Sequence, residues 1–110
     1  MRYSKQRTMA GFIGATGGLP AAPVNTVAPS ITGTATSGST LTANPGTWTG
    51  RETPEISYQW NRAGTPVSGA TASTYVLGGP DVGSAMTVTV TGLNWAGTAS
   101  ATSAATAVVT

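Results

Sequence analysis

The amino-acid sequence predicts an all-β fold, and three observations lead to that prediction. Only 7% of the 110 residues are charged, while 15 are glycine and 7 are proline, a composition that suits short strands separated by turns. Apolar and polar residues alternate strictly from Ile56 to Asn61 and from Met86 to Thr91, which is the period of a half-buried strand. Turn signals recur at intervals of about 8–12 residues, as is typical of a β-sandwich.

The order of the strands follows from these patterns. Pro29 interrupts the first strand, which is typical of an edge strand because proline has no N–H to donate. The turn Asn44-Pro45-Gly46 ends the second strand, and the segment GTWTG around Trp48 is interpreted as a further turn. A Gly-Gly-Pro-Asp corner precedes the strand at 86–91. About seven strands are predicted, around Val24, Val27 and Ile31; Leu41; Ile56, Tyr58 and Trp60; Val67; Tyr75 and Leu77; Met86, Val88 and Val90; and from Ala99 to Val109.

The core is predicted from the register of the two alternating strands. Trp60 should face inwards with Met86, Val88 and Val90, because a one-residue slip of strand 86–91 would bury threonines instead. Tyr58 shares a strand face with Trp60 and is expected in the core as well. A buried aromatic side chain removes about 150–250 Å² from water, so Trp60 should dominate the interior of so small a domain.

Charge divides the chain into an arm and a domain. Residues 1–22 hold Arg2, Lys5 and Arg7 and no acidic residue, whereas residues 23–110 hold two basic and three acidic residues. The first segment shows neither a strand nor a helix period, and its glycines disfavour a helix. We predict an extended N-terminal arm over 1–22 and one domain over 23–110, with the arm docked on a partner and the domain displayed.

A secretory signal peptide is the alternative interpretation of the N-terminus. The apolar run from Met9 to Ala15 contains two glycines and barely reaches the lower length of about 7 residues that such a segment needs. No stretch approaches the ~18 consecutive apolar residues of a membrane span. The arm is therefore preferred.

The residue inventory disfavours catalysis and metal binding. The chain has no cysteine and no histidine, so disulfides, thiolate sites and the commonest general base are all excluded. Glu52, Glu55 and Asp81 are not clustered in sequence, although a calcium site needs about 6–8 oxygen ligands. Residues 14–18 are rich in glycine but lack the lysine that closes a phosphate-binding loop. We expect no enzyme activity, no metal and no cofactor.

A family resemblance rests on four segments in fixed order: NTVAPSITGTATSGSTLTANPGTWTG, YQWNRAG, VSGATASTYVL and DVGSAMTVTVTGLNWAG. Together they resemble one repeat of a bacterial and phage immunoglobulin-like module over roughly residues 23–110. The resemblance implies an immunoglobulin-like β-sandwich in which Trp60 is the core tryptophan and Asp81-Val82-Gly83 the corner before a central strand. The disulfide of immunoglobulin domains is missing here, so apolar contact must replace it.

The resemblance also implies a function. Such phage modules are similar to accessory domains on capsid and tail proteins, whereas bacterial ones occur mostly as tandem arrays in large surface proteins. A single module behind its own arm favours a non-enzymatic phage structural protein that decorates the capsid in many copies, with weak attachment to host-surface glycans as a further role. The alternatives are a tail or baseplate accessory protein, and a secreted or cell-surface bacterial module that binds carbohydrate or protein.

The residues expected to anchor the arm on the virion are of two kinds. Basic side chains could form salt bridges to an acidic protein groove, with a solvated terminus as the alternative. Nucleic acid is disfavoured because three charges are few for phosphate binding. Apolar side chains in a glycine-rich backbone could fill small pockets or support strand addition. The predicted anchoring residues are Arg2, Tyr3, Lys5, Arg7, Phe12, Ile13 and Leu19.

Two tryptophans are candidates for surface contacts. Trp48 is expected to cover the open end of the sandwich as a lid, with sugar stacking as the alternative. Trp95 lies in the loop between the last two strands, where related modules are small and polar. It either tucks against the neighbouring loop or contacts another subunit or a glycan, because a large apolar ring at a loop tip is costly to expose without a partner.

Overall fold

A computed structural model describes residues 21–110 as an all-β arrangement of nine strands and one short 3₁₀ turn, so the all-β prediction is confirmed. None of these residues forms a helix long and apolar enough to cross a membrane. The predicted arm, with its anchoring residues from Arg2 to Leu19, lies outside the described part apart from its last two residues. The elements are β1 Ala21–Val27, β2 Ser30–Thr32, β3 Thr40–Asn44, β4 Thr47–Arg51, β5 Glu55–Arg62, β6 Thr65–Pro66, β7 Thr74–Val76, the 3₁₀ turn Gly79–Asp81, β8 Met86–Asn94 and β9 Gly97–Thr102.

All strand pairings within residues 21–110 are antiparallel and form three sheets. β1 pairs with β4, β3 lies between β2 and β7, and the largest sheet has the order β6-β5-β8-β9. β5 and β8 pair along eight residues of β5, from Glu55 opposite Leu93 to Arg62 opposite Met86. This long ladder is the frame on which the rest of the domain packs.

The predicted first strand is split in two, and the prediction of a turn at Trp48 is wrong. Ala28 and Pro29 separate β1 from β2, which follows from the missing proline N–H. The segment around Trp48 is strand β4 rather than a turn, because β1 offers it a partner, with Asn25 opposite Trp48. These two differences add one strand each and account for nine strands instead of about seven.

The last strand ends at Thr102, so the prediction that it continues to Val109 is wrong. Beyond it, side-chain hydroxyls replace backbone carbonyls as acceptors along β8. Ser103 Oγ accepts from the Val88 N–H at 3.0 Å, and Thr106 Oγ1 accepts from the Met86 N–H at 3.0 Å. The segment therefore still follows β8, but without the regular spacing of a ladder.

The core lies between the three-stranded and four-stranded sheets. Trp60, Met86, Val88 and Val90 are all completely buried, so the predicted inward register of β5 and β8 is confirmed. The Trp60 ring stacks on Tyr75 at a centroid distance of 5.7 Å, and its Nε1 donates to the Ala72 carbonyl at 2.8 Å. The remaining buried apolar residues of this cluster are Leu41, Ala43, Leu77 and Val109.

Candidate functional site at the Trp95 pole

The β8–β9 hairpin presents Trp95 at its tip. Asn94 pairs with Gly97, which leaves Trp95 and Ala96 as a two-residue loop. The Asn94 Oδ1 accepts from the Ala96 N–H at 2.9 Å and holds this turn. Trp95 is 72% exposed, so the interpretation in which the ring tucks against a neighbouring loop is wrong. A hydrogen-bonded two-residue turn therefore presents an indole ring to solvent.

Asn94 also joins three segments of the chain behind Trp95. Its Nδ2 donates to the carbonyls of Ala21 at 2.9 Å, Glu52 at 3.1 Å and Arg51 at 3.3 Å. Gly50 leaves room for this amide, since a Cβ at Gly50 would lie 3.0 Å from it. Glu52 has a φ of 69°, a left-handed conformation that costs a non-glycine residue about 1–2 kcal/mol. The amide contact to its carbonyl helps to hold it there.

Trp48 lies at the same end of the domain but is used for packing. A Cβ added to Gly92 would lie 3.0 Å from the Trp48 ring and 3.3 Å from Pro23, so one face of the ring covers the bare backbone of Gly92. The Trp48 Nε1 donates to the Pro45 carbonyl at 2.8 Å. With one face and the ring nitrogen both engaged, Trp48 is a poorer stacking platform than Trp95.

The two ends of β8 define two poles of the domain. The Trp95 pole comprises residues 21–22, 50–55 and 92–97, and the far pole comprises residues 34–38, 81–86 and 106–110. At the far pole the Thr110 carbonyl accepts from Ser37 at 2.9 Å and the Val109 carbonyl accepts from Gly83 at 2.8 Å. β8 runs for nine residues from Met86 at the far pole to Asn94 at the Trp95 pole, which at ~3.3 Å per residue is about 25–30 Å. Residue 20 is therefore joined to the pole that carries Trp95.

The charged side chains of residues 21–110 lie either in one ion pair or on the Trp95 pole. Residues 21–110 contain Arg51, Arg62, Glu52, Glu55 and Asp81. Arg62 Nε contacts Asp81 Oδ1 at 2.7 Å and forms an ion pair with it. The other three charges lie on the Trp95 pole, so the rest of the described surface carries no unpaired side-chain charge.

The Asp81 carboxylate has a structural role, because its hydrogen bonds join separate segments of the chain. Besides Arg62, the Tyr75 hydroxyl lies 3.1 Å from each carboxylate oxygen, and the Gly78 N–H donates to Oδ2 at 2.8 Å. Burial opposes ionisation, but these donors outweigh it and hold the pKa of Asp81 below its ordinary value. Burial, followed by the hydrogen bond to Asp81, raises the pKa of Tyr75. The Arg62–Asp81 ion pair therefore connects β5 with the segment between β7 and β8.

Two further possibilities for a site are weak. Over residues 21–110 there is no group of three acidic side chains, histidines or cysteines that could hold a metal ion. A shallow cleft of about 260 Å³ lies between the 67–72 loop and β7. Its lining contains no charged side chain, and the loop beside it is held by the hydrogen bond from Trp60 Nε1.

Sequence reasoning located Trp95 but missed Asn94, the residue that positions it. An asparagine beside a hairpin turn is a recognisable turn signal, and the segment Asn94-Trp95-Ala96-Gly97 contains one. Nothing local indicates that the other end of the same amide reaches Ala21 and Glu52, because those contacts join residues 73 and 42 positions away.

The fold and this pole together define a small antiparallel β-domain with one chemically distinct end. Comparisons with protein-family models, with curated proteins and with solved structures give no match to the chain. The functional argument therefore rests on the residues themselves.

Proposed function

We propose that the chain is a non-enzymatic phage virion protein, an accessory subunit that decorates the capsid through its N-terminal arm. In this proposal residues 23–110 form an immunoglobulin-like sandwich that projects from the particle surface, and many copies are present on each particle. Weak contacts of the displayed domains with host-surface glycans would then add up by avidity.

The immunoglobulin-like arrangement is supported by three features. Trp60 lies opposite Val88 where β5 and β8 pair at the centre of the four-stranded sheet. The 3₁₀ turn ending at Asp81 leads into β8, where the resemblance places a corner. Leu41 and Leu77 pack in the same cluster as Trp60, which supplies apolar contact where a disulfide would otherwise join the sheets.

The observation that carries the docking role is the distribution of charge around the Trp95 pole. Three basic residues lie within 1–20, which connect to this pole through Ala21. Within residues 21–110, the charged side chains outside the Arg62–Asp81 pair all lie on the pole itself. Apart from Arg62, which is paired with Asp81, the body between the poles is made of uncharged side chains. A basic N-terminal segment attached to a domain whose body carries no unpaired charge is suited to docking through that segment.

A non-enzymatic role is supported by the state of the buried carboxylate. Asp81 accepts hydrogen bonds from Arg62, Tyr75 and Gly78, so both of its oxygens are already engaged and it is poorly placed to take a proton from a substrate. The two remaining acidic side chains of the described residues, Glu52 and Glu55, are exposed.

A second candidate is a secreted or surface bacterial module that binds carbohydrate. The exposed ring of Trp95 favours it, because an indole with a free face can stack on a sugar. A tail or baseplate location is the third possibility, and it differs from the capsid proposal in copy number alone.

Quantitative mass spectrometry of purified phage particles whose genome encodes this chain tests the proposal. Hundreds of copies per particle are expected for a capsid decoration protein, and a few to dozens would indicate the tail. Particles without the protein, together with a processed N-terminus in the culture supernatant, would refute the virion role and favour the secreted module.

A further inference from the structure

We propose that the outer edge of β7, with the cleft beside it, binds an extended, uncharged peptide segment of another protein, which adds to the three-stranded sheet as an antiparallel strand. This surface shares no residue with the Trp95 pole. Its occupation does not depend on the proposed virion role.

Two residues of β7 have main-chain groups that point away from the sheet. Among the described strands β7 pairs with β3 alone. The Ser73 carbonyl and the Leu77 N–H, at the two ends of β7, both bond towards the β3 side, at 2.8 and 2.9 Å. Alternation along an antiparallel strand therefore turns the N–H and carbonyl groups of Thr74 and Val76 outwards. No main-chain partner for these four groups lies within residues 21–110, so β7 offers two donors and two acceptors to an incoming strand.

The cleft of about 260 Å³ between the 67–72 loop and β7 has room for one side chain of such a strand. Its volume is below the roughly 300–1,000 Å³ of a small-molecule pocket, which is why it is a weak site for a small ligand. Residues opposite each other on neighbouring strands point to the same face of a sheet. Tyr75 faces the core, so the residue opposite it on the incoming strand would enter the cleft. A valine or isoleucine suits this position, because β-branched residues favour strands.

Both walls of the cleft are held in place by hydrogen bonds or stacking. On the loop side, the Val67 N–H donates to the Trp60 carbonyl at 2.9 Å and the Trp60 Nε1 donates to the Ala72 carbonyl at 2.8 Å. On the β7 side, the Tyr75 ring stacks on Trp60, and its hydroxyl lies 3.1 Å from each carboxylate oxygen of Asp81. An incoming strand therefore meets a preformed surface, and the entropic cost of binding falls mainly on the peptide.

The absence of charge around the cleft specifies the occupant. Residues 63–80 contain no charged side chain, and the flanking Arg62 and Asp81 are paired with each other. A charged side chain in the cleft would lose hydration without gaining a partner, so an uncharged peptide is favoured. Val76 is 63% exposed and adds an apolar contact on the outer face of the new strand pair. Charge and proline commonly protect edge strands from such pairing, and β7 has neither.

Titration of the full chain with the capped peptide acetyl-Thr-Thr-Val-Thr-Thr-amide, followed by NMR and amide hydrogen exchange, tests the inference. Without peptide, the amides of Thr74 and Val76 should exchange faster than that of Tyr75, which pairs with β3. Saturating peptide should slow exchange at positions 74 and 76 at least tenfold. A peptide with aspartate in place of the valine should bind at least tenfold more weakly.

A substitution at position 76 tests the main-chain contact. Val76→Pro removes one of the outward N–H groups, and proline is tolerated on an edge strand where the N–H faces outwards, so the domain should stay folded. Peptide binding should weaken at least tenfold. Val76→Thr keeps both the N–H and the β-branched shape and is the matched control, with an affinity within threefold of the unaltered chain. Melting temperatures establish that both variants are folded.

Changes in the peptide test the same contact without altering the protein. If the valine lies opposite Tyr75, the N–H groups of its two threonine neighbours point towards β7, and the N–H of the valine points away. N-methylation of both neighbouring threonines should abolish binding, whereas N-methylation of the valine should change the affinity less than threefold. Equal effects of the two modifications would overturn the strand pairing.

The remaining outcomes are equally defined. No saturable binding of the valine peptide, or an affinity that folded Val76→Pro leaves within twofold, overturns the inference. Equal affinity of the valine and aspartate peptides overturns the uncharged occupant. A dimer of the full chain in sedimentation, present in Val76→Thr and absent in Val76→Pro, assigns the edge to a second copy and overturns the peptide partner. None of these results changes the copy number on particles, so the proposed function stands or falls separately.

Discussion

Asn94 is the residue whose replacement tests the structure of the Trp95 pole most directly. Asn94→Ala removes an amide that donates to the carbonyls of Ala21, Arg51 and Glu52 and an oxygen that accepts from Ala96. The amide has two hydrogens, so about three hydrogen bonds are lost, each with a net value of about 0.5–1.5 kcal/mol. We expect a loss of about 2–4 kcal/mol in the free energy of unfolding, a large part of the stability of a small domain.

The measurement is thermal unfolding of the full chain followed by circular dichroism. A loss of this size lowers Tm by about 4–8 °C per kcal/mol in a domain of this length, hence by roughly 10 °C or more. The matched control is Asn25→Ala, because Asn25 also donates to two backbone carbonyls, at 2.8 and 3.1 Å, but these hydrogen bonds are exposed to solvent. That variant should lose no more than about 1 kcal/mol. Hydrogen exchange should also become faster at the start of β1 in Asn94→Ala alone.

Asn94→Asp separates hydrogen bonding from packing. The carboxylate nearly matches the amide in size but brings a second acceptor towards three carbonyl oxygens, so it should destabilise the domain more than alanine does at neutral pH. Lowering the pH should reduce the difference in stability between the aspartate and alanine variants, because the carboxyl group gains a proton that it can donate. A Tm of Asn94→Ala within about 2 °C of the unaltered chain, or an aspartate variant as stable as the alanine variant, would refute the role assigned to Asn94.

Three further predictions concern the fold. Gly46→Ala should cost more than about 2 kcal/mol, because Gly46 has a φ of 80° and a Cβ would collide with a carbonyl oxygen of β1. Gly64→Ala, at a φ of 83° with open space around it, should cost only about 1 kcal/mol. If urea unfolding gave the same loss of unfolding free energy for Gly46→Ala and Gly64→Ala, this prediction would be contradicted. Trp60→Ala should cost about 3–5 kcal/mol and Trp95→Ala less than about 0.5 kcal/mol, so similar melting curves would refute the burial assignments. Because the pKa of Asp81 is lowered in the folded state, its ionised carboxylate stabilises the domain above about pH 4, and this stabilisation is lost as the pH falls through the lowered pKa. Asp81→Asn should therefore reduce the loss of unfolding free energy on acidification. An unchanged loss in a pH series of unfolding measurements would exclude this role.

The strands with long, strict alternation were predictable because one register alone buries their large side chains. In β8 the choice lies between burying valines and burying threonines, and the hydrophobic effect decides it without reference to other elements. Strand β4 was not predictable in this way. Five residues flanked by turn signals have no local reason to be extended, and only the hydrogen bonds to β1 make them a strand.

The sequence by itself determined the all-β class, the inward register around Trp60, the position of Trp95 in a hairpin loop and the excess of positive charge near the N-terminus. Each of these depends on residue identity and spacing along a few neighbouring positions. Only the tertiary structure decided that Ala21, Glu52 and Trp95 meet at one pole and that Trp48 covers Gly92 while Trp95 stays exposed. It also decided that side-chain hydroxyls accept hydrogen bonds from β8 after β9 has ended at Thr102. These features join residues far apart in the chain, and no local pattern records which distant carbonyl an asparagine amide will reach.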